Sequence, residues 1–103
     1  MPQLNLVVRL WLRPEAAIAD FEAFERQAAQ IMATHGGRIE RAFRVNAPSD
    51  SDEPFEVHLV SFPDEAAFSA YRNDAQIVAL AKERERLIAR TEIWTGAEVN
   101  YGF

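Results

Sequence analysis

Between Leu4 and Leu12 every second residue is aliphatic: Leu4, Leu6, Val8, Leu10 and Leu12 fall on one side, with Asn5, Val7, Arg9 and Trp11 between them. A period of two predicts a β-strand with one dry face. From Ile18 the spacing changes to three and four, at Ile18, Phe21, Phe24, Ala28, Ile31, Met32 and His35. That spacing predicts an amphipathic helix. Pro14 suits its first turn, and Gly36 and Gly37 close it where a left-handed C-cap is easily adopted.

Weaker alternation returns from Arg38 to Asn46 and again from Phe55 to Phe62. The polar stretch between them, Ala47 to Pro54, is made of residues that favour turns, so the two strands read as a hairpin. The second strand places Phe55, Val57 and Leu59 on one face and Glu56, His58, Val60 and Phe62 on the other. Pro63 and Asp64 then mark the start of a helix, with Asp64 as its N-cap and Phe68 and Tyr71 as its apolar stripe. Asn73 and Asp74 break that helix and cap another, whose Ile77, Val78, Leu80, Ala81, Leu87 and Ile88 are expected to point inward. Ile93 to Tyr101, containing Trp94 and Val99, reads as a last strand.

Strand, helix, strand, strand, helix, strand is the order of two split β-α-β units. The expected class is therefore α+β, ferredoxin-like: a four-stranded antiparallel sheet with its helices on one face. No repeat or linker divides the 103 residues, which are expected to form one domain over 1–103. A chain of this size buries roughly 60 to 70% of the surface its unfolded form exposes, enough for one core.

The helices leave one sheet face uncovered. If the dry side of the first strand meets them, Asn5, Val7, Arg9 and Trp11 point the other way, and Glu56, His58, Val60 and Phe62 are expected beside them. Trp94 and Glu98 are expected to join from the last strand. A face that mixes Trp, Phe and Val with Arg, His and Glu is too apolar for plain solvent and too polar for a sealed core. Pairing of two sheets as a homodimer around a cavity satisfies both sets.

Composition removes several function classes. Apolar residues are 49% and charged residues 26% of the chain, which excludes a disordered class. Eleven basic against sixteen acidic residues give a net charge of −5, so nucleic acid is not an expected partner. With no cysteine there are no disulfides, thiolate sites or cysteine nucleophiles, and the chain suits a reducing compartment. No apolar run approaches the ~20 residues of a membrane span, and the first residues lack the pattern of a secretory signal. The expected partners exclude a membrane, and the expected location is cytoplasmic. Dinucleotide, P-loop, hydrolase-elbow and zincin motifs are all missing, and the two histidines fall in separate elements. No metal and no cofactor is expected.

The residues that carry chemistry are few. His58 titrates near neutrality and is the candidate acid or base, with Glu56 two residues away to orient it; a polar patch at a dimer seam explains both as well. Arg9 and Arg44 present paired donors suited to a substrate carboxylate or enolate, and cross-sheet pairing with Glu40, Glu56 or Glu98 explains them as well. Trp11 and Trp94 suit the walls of an aromatic pocket, or a dimer interface. His35 falls in the last turn of the first helix, where a cation favours the dipole. The run from Lys82 to Arg90 alternates in charge and reads as a solvated helix face.

The stretch VSFPDEAAFSAYRND, Val60 to Asp74, the following AQIVALAKERERLIARTE, and the strand order together resemble the dimeric α/β barrel superfamily. Within it they are similar to a family of small bacterial proteins of unknown function, which share a strand ending in Phe-Pro, a capped helix rich in Ala and aromatics, and a second short capped helix. The resemblance covers nearly the whole chain as topology. It implies two sheets paired as a barrel and small hydrophobic or aromatic ligands held between sheet and helices or inside the barrel. Members of the superfamily include cofactor-independent monooxygenases of aromatic polyketides, haem-degrading monooxygenases, lactone isomerases and non-catalytic relatives. The haem-degrading members carry an Asn on the first strand, matched by Asn5, and a histidine on the second helix, whereas residues 63–90 contain no His. The polyketide monooxygenases surround their substrate with Trp, Asn, Tyr and Arg, and Asn5, Arg9, Trp11 and Tyr71 supply those types here.

The expected function is thus small-molecule binding or conversion, as proton transfer or cofactor-independent oxygenation of an aromatic or enolisable compound. His58 is the expected acid or base and Arg9 the anion stabiliser. Asn5, Trp11, Glu56, Tyr71 and Trp94 are the expected substrate contacts. The alternative is a non-catalytic homodimer with a structural, stress-related or ligand-sensing role.

Overall fold

The computed structural model describes residues 3–46 and 52–102. Eight elements follow in order: β1 (Leu4–Leu12), α1 (Ile18–Thr34), β2 (Arg38–Arg44), β3 (Glu56–Phe62), α2 (Glu65–Arg72), α3 (Ala75–Ala79), α4 (Ala81–Leu87) and β4 (Ile88–Gly96). The strands form one antiparallel sheet in the order β2-β3-β1-β4. Strand β1 lies at the centre because its neighbours on both sides, β3 and β4, come from the far half of the chain. This is the ferredoxin-like α+β fold, with every helix on one face.

Local chemistry explains where each element begins and ends. Pro14 sits in a turn closed by the Ala16 N–H donating to the Arg13 carbonyl at 3.0 Å, so α1 starts at Ile18, later than Pro14 alone suggests. Proline's fixed φ suits the second position of such a turn as well as it suits a first helical turn. Helix α1 ends in a double backbone cap. Gly36 N–H donates to Ala33 and Gly37 N–H to Met32, with Gly36 at φ 75° where only glycine is at ease. Asp64 caps α2 by accepting from Ala67 N–H at 2.8 Å, and Asp74 caps α3 by accepting from Gln76 N–H at 2.7 Å.

Between α1 and the sheet lies one apolar cluster of Leu10, Phe21, Phe24, Leu87 and Ile88. A second joins Leu6, Met32, Val60 and Phe62, with Phe68 and Tyr71 packed on it. Phe62 is its pivot, with ring centroids 5.2 Å from Phe68 and 5.5 Å from Tyr71.

Three expectations are corrected. The last strand is Ile88–Gly96 rather than Ile93–Tyr101, so Ile88 belongs to the sheet and Glu98 lies beyond it. Val78 is 59% exposed and Ala81 is also exposed; the stretch expected to be one helix breaks at Leu80 into α3 and α4. Above all, the face of β3 is reversed. In the register Leu6 pairs with Val60, Val8 with His58 and Leu10 with Glu56. Directly paired residues share a face, so Glu56, His58, Val60 and Phe62 lie under the helices, while Val57 and Leu59 lie on the open side. Most of the expected loop at 47–54 falls outside the described residues. Among the described residues no helix is long and apolar enough to cross a membrane.

Candidate functional site

The reversed β3 carries the chemistry into the molecule. Beneath the helices is a cavity of about 260 Å³, floored by the sheet, walled by α1 and roofed by α2 to α4. Its lining is aliphatic and aromatic except for Glu25, His58, Tyr71, Arg72, Arg84 and Thr91. A largely apolar hollow with a few convergent polar groups is the usual form of a small-molecule site.

His58 is 4% exposed. Its Nε2 lies 2.6 Å from Glu56 Oε2, and Glu56 in turn accepts two bonds from Arg44, at 3.0 and 2.8 Å. Arg44 also reaches Glu22 at 3.2 Å. A carboxylate held by a guanidinium is an acceptor only, so Nε2 carries the hydrogen. In the neutral ring Nδ1 then bears the lone pair, and Nδ1 faces Glu25 Oε2 at 3.9 Å. That is too long for a direct hydrogen bond.

Glu25 is a carboxyl altered by its surroundings. Burial raises its pKa, and the charge of Glu56 adds to the rise, while His58 and Arg84 oppose it. A carboxyl in an apolar wall holds its proton more tightly than one in water. Tyr71, from the last turns of α2, has its pKa pushed up to about 12, first by burial and then by Glu25. Its phenol is a neutral donor at any physiological pH. Arg84 is anchored across the cavity edge by Nη2, which donates to Thr91 Oγ1 at 2.6 Å.

The residues singled out in the sequence divide between two faces. His58, Glu56 and Tyr71 belong to the helix side, where Tyr71 and His58 line the cavity and Glu56 backs His58. Asn5, Arg9, Trp11 and Trp94 lie on the open side, so the sheet separates Arg9 from His58. There Arg9 is already engaged, bonded to Glu92 at 3.0 Å with its guanidinium 5.0 Å from the ring centres of both Trp11 and Trp94. Arg90 covers the other flank of Trp11 at 4.2 Å. Trp11 is buried on this face, and its Nε1 has no hydrogen-bond partner among the described residues. His35 Nε2 pairs with Asp74 Oδ2 at 2.7 Å, tying the end of α1 to the α2–α3 junction.

Glu25, Arg72 and Arg84 were not among the expected site residues. Glu25 follows Phe21 by four and precedes Ala28 by three, so it lies on the dry stripe of α1, and a lone carboxylate on such a stripe was the available signal. Arg84 lies in the run from Lys82 to Arg90, whose charge alternation suggests a wholly solvated face. Arg86 fits that expectation, paired to Glu83 and Asp20; Arg84 is exposed as well, but at the cavity rim, where it meets Thr91.

A ferredoxin-like sheet with its helices on one face places the chain in a structural class, and solved structures share that fold. No protein-family model matches the sequence, and no curated protein matches it. A protein of unknown function from Rhodopseudomonas palustris superimposes with a TM-score of 0.77 at 18% identity, over 95% of this chain and 83% of that one. SnoaB, a cofactor-independent oxygenase from Streptomyces nogalater, is similar with a TM-score of 0.69 at 17% identity, over 96% and 97% of the two chains. A dimeric ferredoxin-like protein of unknown function from Thermobifida fusca gives 0.65 at 9% identity, over 93% and 91%. The resemblance to dimeric α/β barrel proteins therefore holds at the level of the fold.

Proposed function

We propose that the cavity under α1 to α4 binds a small aromatic or enolisable compound and moves a proton on it, without a cofactor. The observation that carries this reading is the pair formed by His58 Nδ1 and Glu25, 3.9 Å apart at the wall of an apolar cavity. One is a lone-pair base, fixed in its tautomer by Glu56. The other is a carboxyl made a better proton holder by burial. A substrate atom beside the pair, about 3 Å from each, reaches both. In the first step Nδ1 takes a proton from an activated C–H, and the bonding pair moves into an enolate. The Tyr71 phenol, kept neutral by burial, is the donor for the enolate oxygen. Protonation by Glu25 at a second carbon completes an isomerisation; reaction of the same enolate with dioxygen is the oxygenase alternative. The fold shared with a cofactor-independent oxygenase supports this range of chemistry and does not choose within it.

The test is hydrogen–deuterium exchange into 2-tetralone in D₂O, followed by NMR under argon, with oxygen uptake followed separately in air. Protein-catalysed exchange abolished by His58→Gln supports the reading. Binding without exchange leaves a ligand-sensing protein, and no binding at all leaves a structural one.

For the open face we propose self-association. Trp94 and Phe43 on this face are 55% and 49% exposed, an apolar area that a second copy can cover. A neighbour of the same fold described as dimeric supports this reading.

A further inference from the structure

Two of the polar groups around the cavity are arginines that, among the described residues, form no direct ion pair, while the charge of Arg84 acts on Glu25 from a distance. Among the described residues, Arg9, Arg38, Arg44, Arg86 and Arg90 each pair with a carboxylate, while Arg72 and Arg84 line the cavity and form no ion pair. Arg72 ends α2 and lies 5.4 Å from the ring centre of Phe68, itself a lining residue. Arg84 is pinned through one Nη2 bond to Thr91. A guanidinium has five N–H donors, so this anchor fixes its orientation and leaves most of its donors free.

The charge count is specific. The full chain carries −5, yet the cavity lining holds two arginines against the single carboxyl of Glu25. Glu56 is answered separately by Arg44 outside the lining. An excess of guanidinium over carboxyl groups around an apolar hollow suits an anionic group carried on an apolar molecule.

We infer that the compound held here is a carboxylate-bearing apolar molecule, with its carboxylate between Arg72 and Arg84 and its apolar body reaching toward Glu25 and His58. This rests on the proposed reading of the cavity as a small-molecule site, and it names the substrate class. Charge-assisted bonds from guanidinium to carboxylate are about twice as strong as neutral ones. The two arginines then fix which end of the molecule enters first and so which carbon meets His58.

The probes are 2-naphthoate and its neutral counterpart 2-naphthamide, titrated by calorimetry. Wild-type protein should bind 2-naphthoate at least ~10-fold more tightly, the ratio expected from one or two charge-assisted bonds in place of neutral ones. Arg72→Gln and Arg84→Gln should each shrink that ratio, and the double variant should erase it with the amide affinity unchanged. Arg26→Gln, which removes the same charge from an exposed site on α1, should leave the ratio intact. Equal affinity for acid and amide in the wild type, or a preference that survives the double variant, overturns the inference. The cavity reading is checked apart from it by Ile93→Trp and Ile77→Trp, at partly exposed lining positions. Either variant that stays folded should lose the amide. Amide binding that survives both substitutions, or the absence of binding by either probe, overturns the cavity reading and the inference with it.

Discussion

Nδ1 of His58 and Oε2 of Glu25 stand 3.9 Å apart at the cavity wall, each brought there by a different element, β3 and α1. The separation prevents a direct bond and leaves the pair open to a third atom. Glu25 carries a cost in stability, because its folded-state pKa is raised by burial. A raised pKa means the folded state holds the proton more tightly than the unfolded one. Stability is therefore greatest below the ordinary carboxyl range and declines as pH rises through the folded-state value. Glu25→Gln should accordingly stabilise the protein at pH 7, by up to about 1 kcal/mol or a few degrees in Tm. The gain should shrink as the pH is lowered. The same change leaves the His58 base in place, so exchange at the carbon it deprotonates should persist. Thermal melts across pH 4 to 8 check the first outcome, and NMR exchange rates the second.

Glu56→Gln separates positioning from packing. The amide can keep one bond from Arg44, but its NH₂ cannot accept from His58 Nε2, so the ring must change tautomer or turn. Nδ1 then loses its lone pair toward Glu25. Exchange should fall by roughly 10² to 10⁴, the range associated with general acid–base groups, while stability falls by only about 1 to 2 kcal/mol for the altered buried bonds. Nitrogen chemical shifts of His58 report the tautomer directly. An unchanged tautomer with lost activity contradicts the assigned role.

Much of the fold was legible because its signals are local. The alternation at Leu4–Leu12, the double glycine after α1 and the aspartates at 64 and 74 each act within a few residues. What escaped was set by tertiary pairing. For β3 both alternating sets mix apolar and polar side chains, so periodicity alone leaves the choice of face open, and a shift of one residue in register exchanges them. Trusting Phe55, Val57 and Leu59 as the dry set put His58 on the open side beside Arg9. The boundary at Leu87 and Ile88 was hidden in a similar way, since these residues complete a helical stripe and also begin a period of two. Pairing of β4 along β1, from Leu12 opposite Ile88 to Asn5 opposite Gly96, decides for the strand.

Asp64→Ala tests the local capping device that starts α2. Ala67 N–H loses its acceptor, and a lost N-cap costs about 1 kcal/mol. Chemical denaturation should show a lower midpoint with an unchanged slope. Asp64→Asn, which keeps an acceptor, should recover most of the loss.

Gly37→Ala probes packing rather than backbone conformation. A Cβ at this position meets Phe62 Cε1 at 2.4 Å and Met32 Cγ at 2.7 Å, and Phe62 is 1% exposed with Phe68 and Tyr71 against it. The ring can give way only toward the cavity it lines, at the cost of its contacts with Phe68 and Tyr71. Overpacking of this kind costs about 1 to 3 kcal/mol. Because Phe62 also lines the cavity, 2-naphthoate affinity should fall with stability, in contrast to Asp64→Ala, which should leave affinity unchanged.

The open face separates assembly from binding. Trp94 is more than half exposed and stacks against Arg9, whose other neighbours are Glu92 and Trp11. In a paired sheet this cluster would be covered by the second copy, so a carboxylate at position 94 would be buried at the seam without a partner. Trp94→Asp should therefore turn a dimer into a monomer in native mass spectrometry and sedimentation. It should cost the isolated fold less than about 1 kcal/mol, as is usual for exposed positions. The cavity lies on the opposite side of the sheet, so the affinity for 2-naphthoate should persist in the monomer. If affinity disappears together with the dimer, the binding site extends across both faces, and Arg9 and Trp11 return as its candidate contacts.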